Sequence, residues 1–374
     1  MAELIVSLFF LLFALFVGVY GIYYVCVRMW AKKLWGLVID ENFQPKISIL
    51  IPVHDEEGTI VDKLTNIRSM KYPVENIEII VADDGSCDHT LQKVENFVKL
   101  NPELKIRIVG PNERVGKSVA LNRALPFSIN DIVIVSDADT QWPEDLLQKT
   151  LPYLVDSKVG AVTCGGVNRN MGETWVTKGE DTYLHLTNLI RLGESKLHST
   201  VRFEGGFCAF KKNAFDQFDA ETGSDDSGTA LEVVQRGYRA IIVPDTVFYT
   251  TFPTFFADKL KMKARRATQL ISLWIKCSKL LFQRRLLLPK KIAIPEMLLF
   301  ILSPLILVGL IVTTASVILL SLFSFFTVGI LMFVGCLLVL ARRAFVEVLV
   351  DNFVLFYALL SIVRGRRYTV WEKS

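Results

Sequence analysis

Three groups of acidic residues in this chain stand where carboxylates can do chemistry. In Ser136-Asp137-Ala138-Asp139-Thr140-Gln141, two aspartates at i and i+2 follow directly on the apolar run Ile132–Val135. On an extended chain such residues share one face, and carboxylates that close repel unless a proton or cation lies between them. A hard divalent ion takes oxygen ligands and offsets phosphate charge at the same time. Gln141, two residues on, offers a third oxygen from the same side. The plain alternative is a solvated acidic loop closing a strand. Asp83-Asp84-Gly85-Ser86 also follows a strand signal; it reads either as a ligand site or as a turn and helix cap. Asp225-Asp226 lies in a Gly/Ser-rich loop before a helix. One aspartate can cap that helix, and a buried second one can act as a general base.

A basic group is available to the acids. Val115-Gly116-Lys117-Ser118 looks like the end of a phosphate-binding loop, but position 111 is Pro where that motif needs Gly, so the full spacing fails. The Gly-Lys pair can still approach a phosphate. Between 257 and 285 nine basic residues stand among Leu, Ile, Phe and Trp274. That pattern predicts an amphipathic helix on the membrane surface, with one or two of its arginines able to face the site and grip a diphosphate.

The elements that must position these groups alternate in character. Ile47–Val53 and Ile77–Val81 are short apolar runs, as are Ile106–Val109 and Ile132–Val135, and helical patterns follow the first two, ending near Met70 and Leu100. Short buried strands separated by helices predict a mostly parallel α/β sheet covered on both faces. Ligands of such sheets bind beyond the carboxyl ends of the strands, which is where the acids fall.

Composition adds a membrane. Of 374 residues 51% are hydrophobic and 21% charged, and mean hydropathy is +0.38. Residues 4–27 carry no charge, and 292–340 carry only Glu296; each is long enough to cross a hydrocarbon core. A wholly soluble enzyme, a disordered chain and a collagen-like chain are excluded. The first segment lacks a basic start and a small-residue cleavage site, so it reads as a retained anchor and not a signal peptide. Arg28, Lys32 and Lys33 follow it, which predicts a cytoplasmic catalytic region in an integral protein of the cell membrane.

The expected organisation is an anchor (1–30), a linker (31–46), an α/β domain (47–256), interfacial helices (257–290) and two transmembrane helices (291–341) turning near Leu320–Phe326. Segment 342–374 contains Glu347 and Asp351 inside an apolar stretch and reads as interfacial or re-entrant, with a further crossing left open. Six scattered cysteines and four histidines show no zinc spacing; the cysteines read as reduced packing residues. The net charge of +4 comes with no basic–aromatic run pointing to a nucleic acid.

In this order, the motifs Ile51-Pro52-Val53-His54-Asp55-Glu56-Glu57, Asp83-Asp84-Gly85-Ser86, Gly116-Lys117 with Ala120-Leu121-Asn122, Asp137-Ala138-Asp139 and Asp225-Asp226 resemble membrane-anchored family 2 glycosyltransferases of GT-A fold. The resemblance covers nearly the whole chain. It implies that Pro52, His54, Glu56, Asp83, Asp84, Lys117, Asp137 and Arg266 serve the nucleotide-sugar donor, a UDP- or GDP-sugar. Asp139 and Gln141 would hold Mg²⁺ or Mn²⁺, as in the similar polyprenyl-phosphate sugar transferases. Asp226 would be the base of an inverting transfer, with Gly205, Gly206, Phe207 and Asp225 on the acceptor side. Processive cellulose, chitin and hyaluronan synthases carry a Q/RxxRW motif where this chain has Lys263-Ala264-Arg265-Arg266-Ala267. Ala267 offers no stacking platform, so the expectation is transfer of one sugar to a lipid-linked or membrane-proximal acceptor; a processive polysaccharide synthase is the alternative.

Overall fold

A computed structural model describes residues 2–110, 113–320 and 342–365, with 329 and 332 as isolated positions. Its strands are β1 (Ile47–Val53), β2 (Ile77–Asp83), β3 (Lys105–Val109), β4 (Ile132–Val135), β5 (Val159–Asn168), β6 (Cys208–Lys211) and β7 (Arg239–Thr250). They form one sheet in the order β3-β2-β1-β4-β6-β5-β7. Only β6 runs against its neighbours, β4 and β5. The four strand signals in the sequence are therefore β1 to β4, and the mostly parallel sheet is observed.

The helices of the domain are α1 (Ala2–Ala31), α2 (Ile60–Arg68), α3 (Thr90–Leu100), α4 (Lys117–Ala124), α5 (Leu146–Thr150), α6 (Trp175–Leu197) and α7 (Ser227–Gln235). Beyond them lie α8 (Phe256–Phe282), α9 (Lys290–Met297), α10 (Ser303–Leu320) and α11 (Arg342–Val363). A π-helical turn at Leu298–Leu302 joins α9 to α10 just after Pro295; Pro removes a helical hydrogen bond, and the wider turn absorbs the mismatch.

Every residue of β1 is buried. Ile47, Ile49, Ile51 and Val53 enter one core with α2, α3 and α5, whereas Leu50 enters a second core with α4, α7, α8 and α9. This is the alternation of a sheet covered on both faces. Pro52 lies past the last β1–β4 pairing, Leu50 with Val135, so its missing N–H breaks no ladder there.

Among the described residues three helices are long and apolar enough to cross a membrane: Leu4–Ala31, Lys290–Leu319 and Val346–Val363. The second half of the expected pair of helices, and the turn near Leu320–Phe326, fall outside the described residues apart from Leu320, Gly329 and Met332. In the last segment Arg342–Val363 is one unbroken helix. Its acids face cations on α8: Lys259 Nζ is 2.9 Å from both Glu347 oxygens, and Lys263 Nζ is 2.7 Å from Asp351. Glu180 of α6 joins the group, 2.9 Å from Lys263. The acids that argued against a crossing are thus neutralised from α8.

Helix α8 does not lie bare on a surface. Leu273, Trp274 and Cys277 enter the second core, while Ala264, Ala267 and Ile271 pack on Val354 and Ala358 of α11. Position 267 therefore faces α11. The five cysteines among the described residues are free; Cys164, Cys208 and Cys277 are packing residues as expected, Cys26 is half-buried, and Cys87 is exposed.

Helices α1 and α6 cross closely at Gly193, where an added Cβ would stand 2.4 Å from the Val27 carbonyl oxygen. Backbone cannot yield there as a flexible side chain can. Gly193→Val is expected to cost about 1–3 kcal/mol and to lower the thermal midpoint of the detergent-solubilised protein. Gly18→Val, at a position with nothing within 4 Å, should leave that midpoint nearly unchanged.

Candidate active site

The site is assembled at the carboxyl ends of β1, β2 and β4. Asp83, the last residue of β2, uses its carboxylate to accept from the Gly85 and Ser86 N–H groups at 3.1–3.3 Å. Gly85 turns the chain with φ +74°, a conformation glycine adopts without strain. Asp84 reaches across to a different loop and accepts from Val115 N–H at 2.7 Å and Gly116 N–H at 2.8 Å. Both aspartates therefore organise loops, and the turn half of the sequence reading is observed. Each carboxylate has about four acceptor sites, so these bonds do not exhaust them. His54 Nδ1 stands 2.9 Å from the Asp84 carbonyl; a carbonyl only accepts, so that nitrogen carries the proton. Glu56 is buried and accepts from Thr59 Oγ1 at 2.6 Å.

The Asp84 anchor sets Gly116, with φ +96°, as the N-cap of α4, and so fixes Lys117, the first residue of that helix. The Lys117 ammonium lies 2.7 Å from Asp137 Oδ1 and 3.1 Å from Asp225 Oδ2. It joins two of the three acidic motifs. Burial opposes ionisation of both acids, and the shorter contact decides between them. Lys117, with Arg266 and Arg265 beyond it, holds the Asp137 carboxyl below its ordinary value against burial. Burial pushes Asp225 up to about 6 despite Lys117, with Asp226 and Asp137 adding to the rise.

The chain does not stay extended after Asp137. Thr140 Oγ1 donates to the Asp137 carbonyl at 2.9 Å, closing a tight turn. Asp139, at the tip, reaches solvent; the surrounding protein, then Asp137 and Glu56, push its carboxyl up to about 6. Gln141 pairs through its backbone with Tyr249 and lines an open groove with Asp62, Asn66 and Arg169. Among the described residues no three His, Cys, Asp or Glu side chains are placed to hold a metal ion. The acids present fit an ion whose other ligands come from elsewhere: Mg²⁺ and similar ions sit on one or two carboxylates plus substrate phosphates. Asp139, crowded by negative neighbours, is the carboxylate that a cation would relieve.

Gly205 and Gly206 press against this centre. The Gly205 carbonyl accepts from Asp137 N–H at 2.9 Å, and a Cβ on Gly205 would come within 2.6 Å of the Asp137 carboxylate. The Gly206 carbonyl accepts from Trp142 Nε1 at 2.8 Å and Ser136 Oγ at 3.1 Å. Phe207 is fully buried, edge-on to Trp142, so it supports the loop from below. Asp226 caps α7: its Oδ1 accepts from Ser227 N–H and from Ser224 Oγ at 2.6 Å.

One residue of the site escaped the sequence reading. Lys63 is completely buried, its ammonium 3.2 Å from the Thr140 carbonyl and 3.9 Å above the Trp142 ring. Burial pulls it down to about 7 against the attraction of Asp137 and Asp139. The signal was available: Lys63 falls on the apolar stripe of Ile60, Leu64 and Ile67. Arg265 stands near Asp137, Asp225 and Asp139, so Arg266 is not alone in facing the acids.

A family model described as glycosyl transferase family 2 matches residues 48–218. The chain carries a family 2 glycosyltransferase domain. Its sheet and helices have the GT-A arrangement of a mannosyltransferase from Pyrobaculum calidifontis solved in complex with GDP-Man and Mn²⁺. That structure is 28% identical, with a TM-score of 0.83 over 97% of this chain and 100% of its own. A β-monoglucosyldiacylglycerol synthase of Trichormus variabilis is 28% identical over 209 residues, 55% of this chain and 43% of its own length. A poly-β-1,6-N-acetyl-D-glucosamine synthase of Staphylococcus aureus is 27% identical over 230 residues, 59% of this chain and 53% of its own. The chain thus spans about half the length of these curated relatives or less. Two of the three acidic motifs fall inside the matched residues, and Asp225-Asp226 lies just beyond them.

Replacing Lys117 with Met would leave Asp137 and Asp225 without their shared cation. Removing one partner of a buried pair costs about 3–5 kcal/mol, so the denaturation midpoint should fall markedly. Adding Asp225→Asn to that variant should restore part of the loss; no recovery in the double variant would mean that the acids do not compete for Lys117.

Proposed function

We propose that this protein transfers a single sugar from a nucleoside-diphosphate sugar to the hydroxyl of a lipid or membrane-proximal acceptor, inverting the anomeric carbon. The observation that carries the reading is the likeness to the mannosyltransferase with GDP-Man and Mn²⁺, which extends through the whole of both chains. A GDP- or UDP-sugar is the donor, and GDP-mannose is the first to try. The resemblance to a glucosyldiacylglycerol synthase, together with three helices able to cross a membrane, supports a lipid acceptor. On this reading those helices are embedded in the cell membrane and the glycosyltransferase domain lies on its cytoplasmic side.

The residues take these roles. Asp83, Asp84, Pro52, His54 and Glu56 form the donor end, where the two aspartates keep acceptor capacity for the nucleoside. Asp137 and Lys117 face the diphosphate, with Arg265 and Arg266 supplying positive charge over the cleft. Asp139, with Gln141, would hold Mg²⁺ or Mn²⁺. When bound, that ion would offset the charge developing on the leaving diphosphate. Gly205, Gly206 and Asp225 border the acceptor, with Phe207 as their support. Asp226 spends Oδ1 on Ser224 and Ser227, which orients Oδ2 as the oxygen that takes the proton of the acceptor hydroxyl. The attacking oxygen bonds to the anomeric carbon as the bond to the diphosphate breaks on the opposite face.

A second reading, chain extension, is favoured by the likeness to the poly-N-acetylglucosamine synthase. Both are tested by one assay: purified protein in detergent with a panel of nucleotide sugars, Mn²⁺ or Mg²⁺ and a membrane lipid extract, read by mass spectrometry. One added sugar per lipid is the expected product, and a ladder would replace single transfer with extension. Asp226→Asn should lower turnover by about 10²–10⁴-fold while nucleotide binding persists; full turnover in that variant would remove Asp226 as the base.

A further inference from the structure

The basic residues of the α8 region divide into two sets. Lys259 and Lys263 are buried and paired with acids of α6 and α11. Lys276 is held by Asp219 at 3.1 Å and Glu221 at 2.9 Å. Past that point the chain turns from α8 into α9, and the pattern changes. Residues 270–295 contain six cations and no acid. Five of the six, Lys279, Arg284, Arg285, Lys290 and Lys291, are exposed and have no ion-pair partner among the described residues.

Two large apolar side chains stand among them. Phe282 is 89% exposed and Leu287 53%, although Leu288 between these cations is buried in the second core. The elbow is not a loose tether. Gln235, at the end of α7, donates from Nε2 to the Arg285 carbonyl at 3.0 Å and accepts from Leu287 N–H at 2.8 Å. The fold therefore holds an apolar ring and a leucine outward in a stretch of chain whose exposed cations have no ion-pair partner among the described residues.

What lies next in the chain identifies the partner. Helix α9 begins at Lys290 and opens the 30-residue apolar helix Lys290–Leu319. The elbow is thus the last stretch of chain before a membrane-crossing helix. The basic end of α1 is at the same end of the bundle, since Trp30 packs against the same core as Leu288 and Ile292. Aromatic and apolar side chains that enter the interface, flanked by Lys and Arg, are what a negatively charged leaflet attracts, at about 1 kcal/mol per basic residue.

We propose that the α8–α9 elbow, Lys279 to Lys291, is a docking surface for anionic phospholipid headgroups, with Phe282 and Leu287 inserted beside them. The inference rests on the reading of Lys290–Leu319 as membrane-embedded, and an alkaline carbonate wash separates the two: protein released from vesicles by the wash would end the embedded reading itself. Protein that stays is then extracted in a nonionic detergent from vesicles of equal parts phosphatidylcholine and phosphatidylglycerol, and the retained lipid is counted by mass spectrometry.

Wild-type protein is expected to retain phosphatidylglycerol over phosphatidylcholine by about fivefold or more, as one such contact alone would give. A Lys279→Gln/Arg284→Gln/Arg285→Gln variant, which keeps Lys290 and Lys291 to flank the span, should fall towards parity. A Lys279→Arg/Arg284→Lys/Arg285→Lys variant keeps the charge and should keep the enrichment, which separates charge from folding. Parity in the wild type, or undiminished enrichment in the glutamine variant, would overturn the proposal.

Discussion

The site depends on one ammonium group. Lys117 lies between Asp137, just past the end of β4, and Asp225 in the loop before α7, and so ties these two elements together. Carboxylates forced together in a partly closed site would repel or hold protons; a cation between them fixes both positions and leaves one, Asp137, firmly charged. The position of Lys117 is inherited from Asp84, which grips the two residues before it by their N–H groups. A chain of bonds therefore runs from the tip of β2 through α4 to β4 and α7, and a change at Asp84 would be felt at Asp225.

The second organising feature is α8. One face carries Trp274 into the core of the glycosyltransferase domain, another packs on α11, and Lys259 and Lys263 meet acids from α6 and α11. Buried charges of this kind add little net stability, because desolvation offsets their attraction. They do restrict geometry, since a helix slid by one turn would leave charges unpaired. Arg265 and Arg266 sit on this same helix, next in sequence to the paired Lys263. The position of positive charge over the cleft is thereby tied to how α8 seats against α6 and α11.

Much of this was legible in the sequence where local pattern and tertiary role agree. The runs at Ile47 and Ile132 are buried on both sides, so their apolar character has no competing reading, and the acids after them fall at strand ends. Helix α6 was not legible, because Glu180, Arg191 and Glu194 are buried in it and interrupt the apolar stripe; their partners Lys263, Glu204 and Tyr23 are remote in sequence. Strand β5 contains Gly160, Gly165 and Gly166, which leave no side chains to mark it, and the structure shows why: Cβ atoms there would strike Tyr238, Asn188 and Glu204. The extended reading of Asp137–Gln141 failed because Thr140 turns the chain back onto Asp137, a bond to the main chain that spacing alone does not reveal.

Helix α7 has an unusual pair of neighbours. Its first turn is capped by Asp226 and its last residue, Gln235, is bonded to the α8–α9 elbow. Nine helical residues make a rod of about 13 Å, with the Asp226 carboxylate at one end and the α8–α9 elbow at the other. Such a rod works as a gauge: it sets how far the carboxylate stands from the start of the apolar helix Lys290–Leu319. Under the proposed function, the reach of an acceptor's headgroup, and not only its chemical identity, decides whether its hydroxyl arrives level with Asp226.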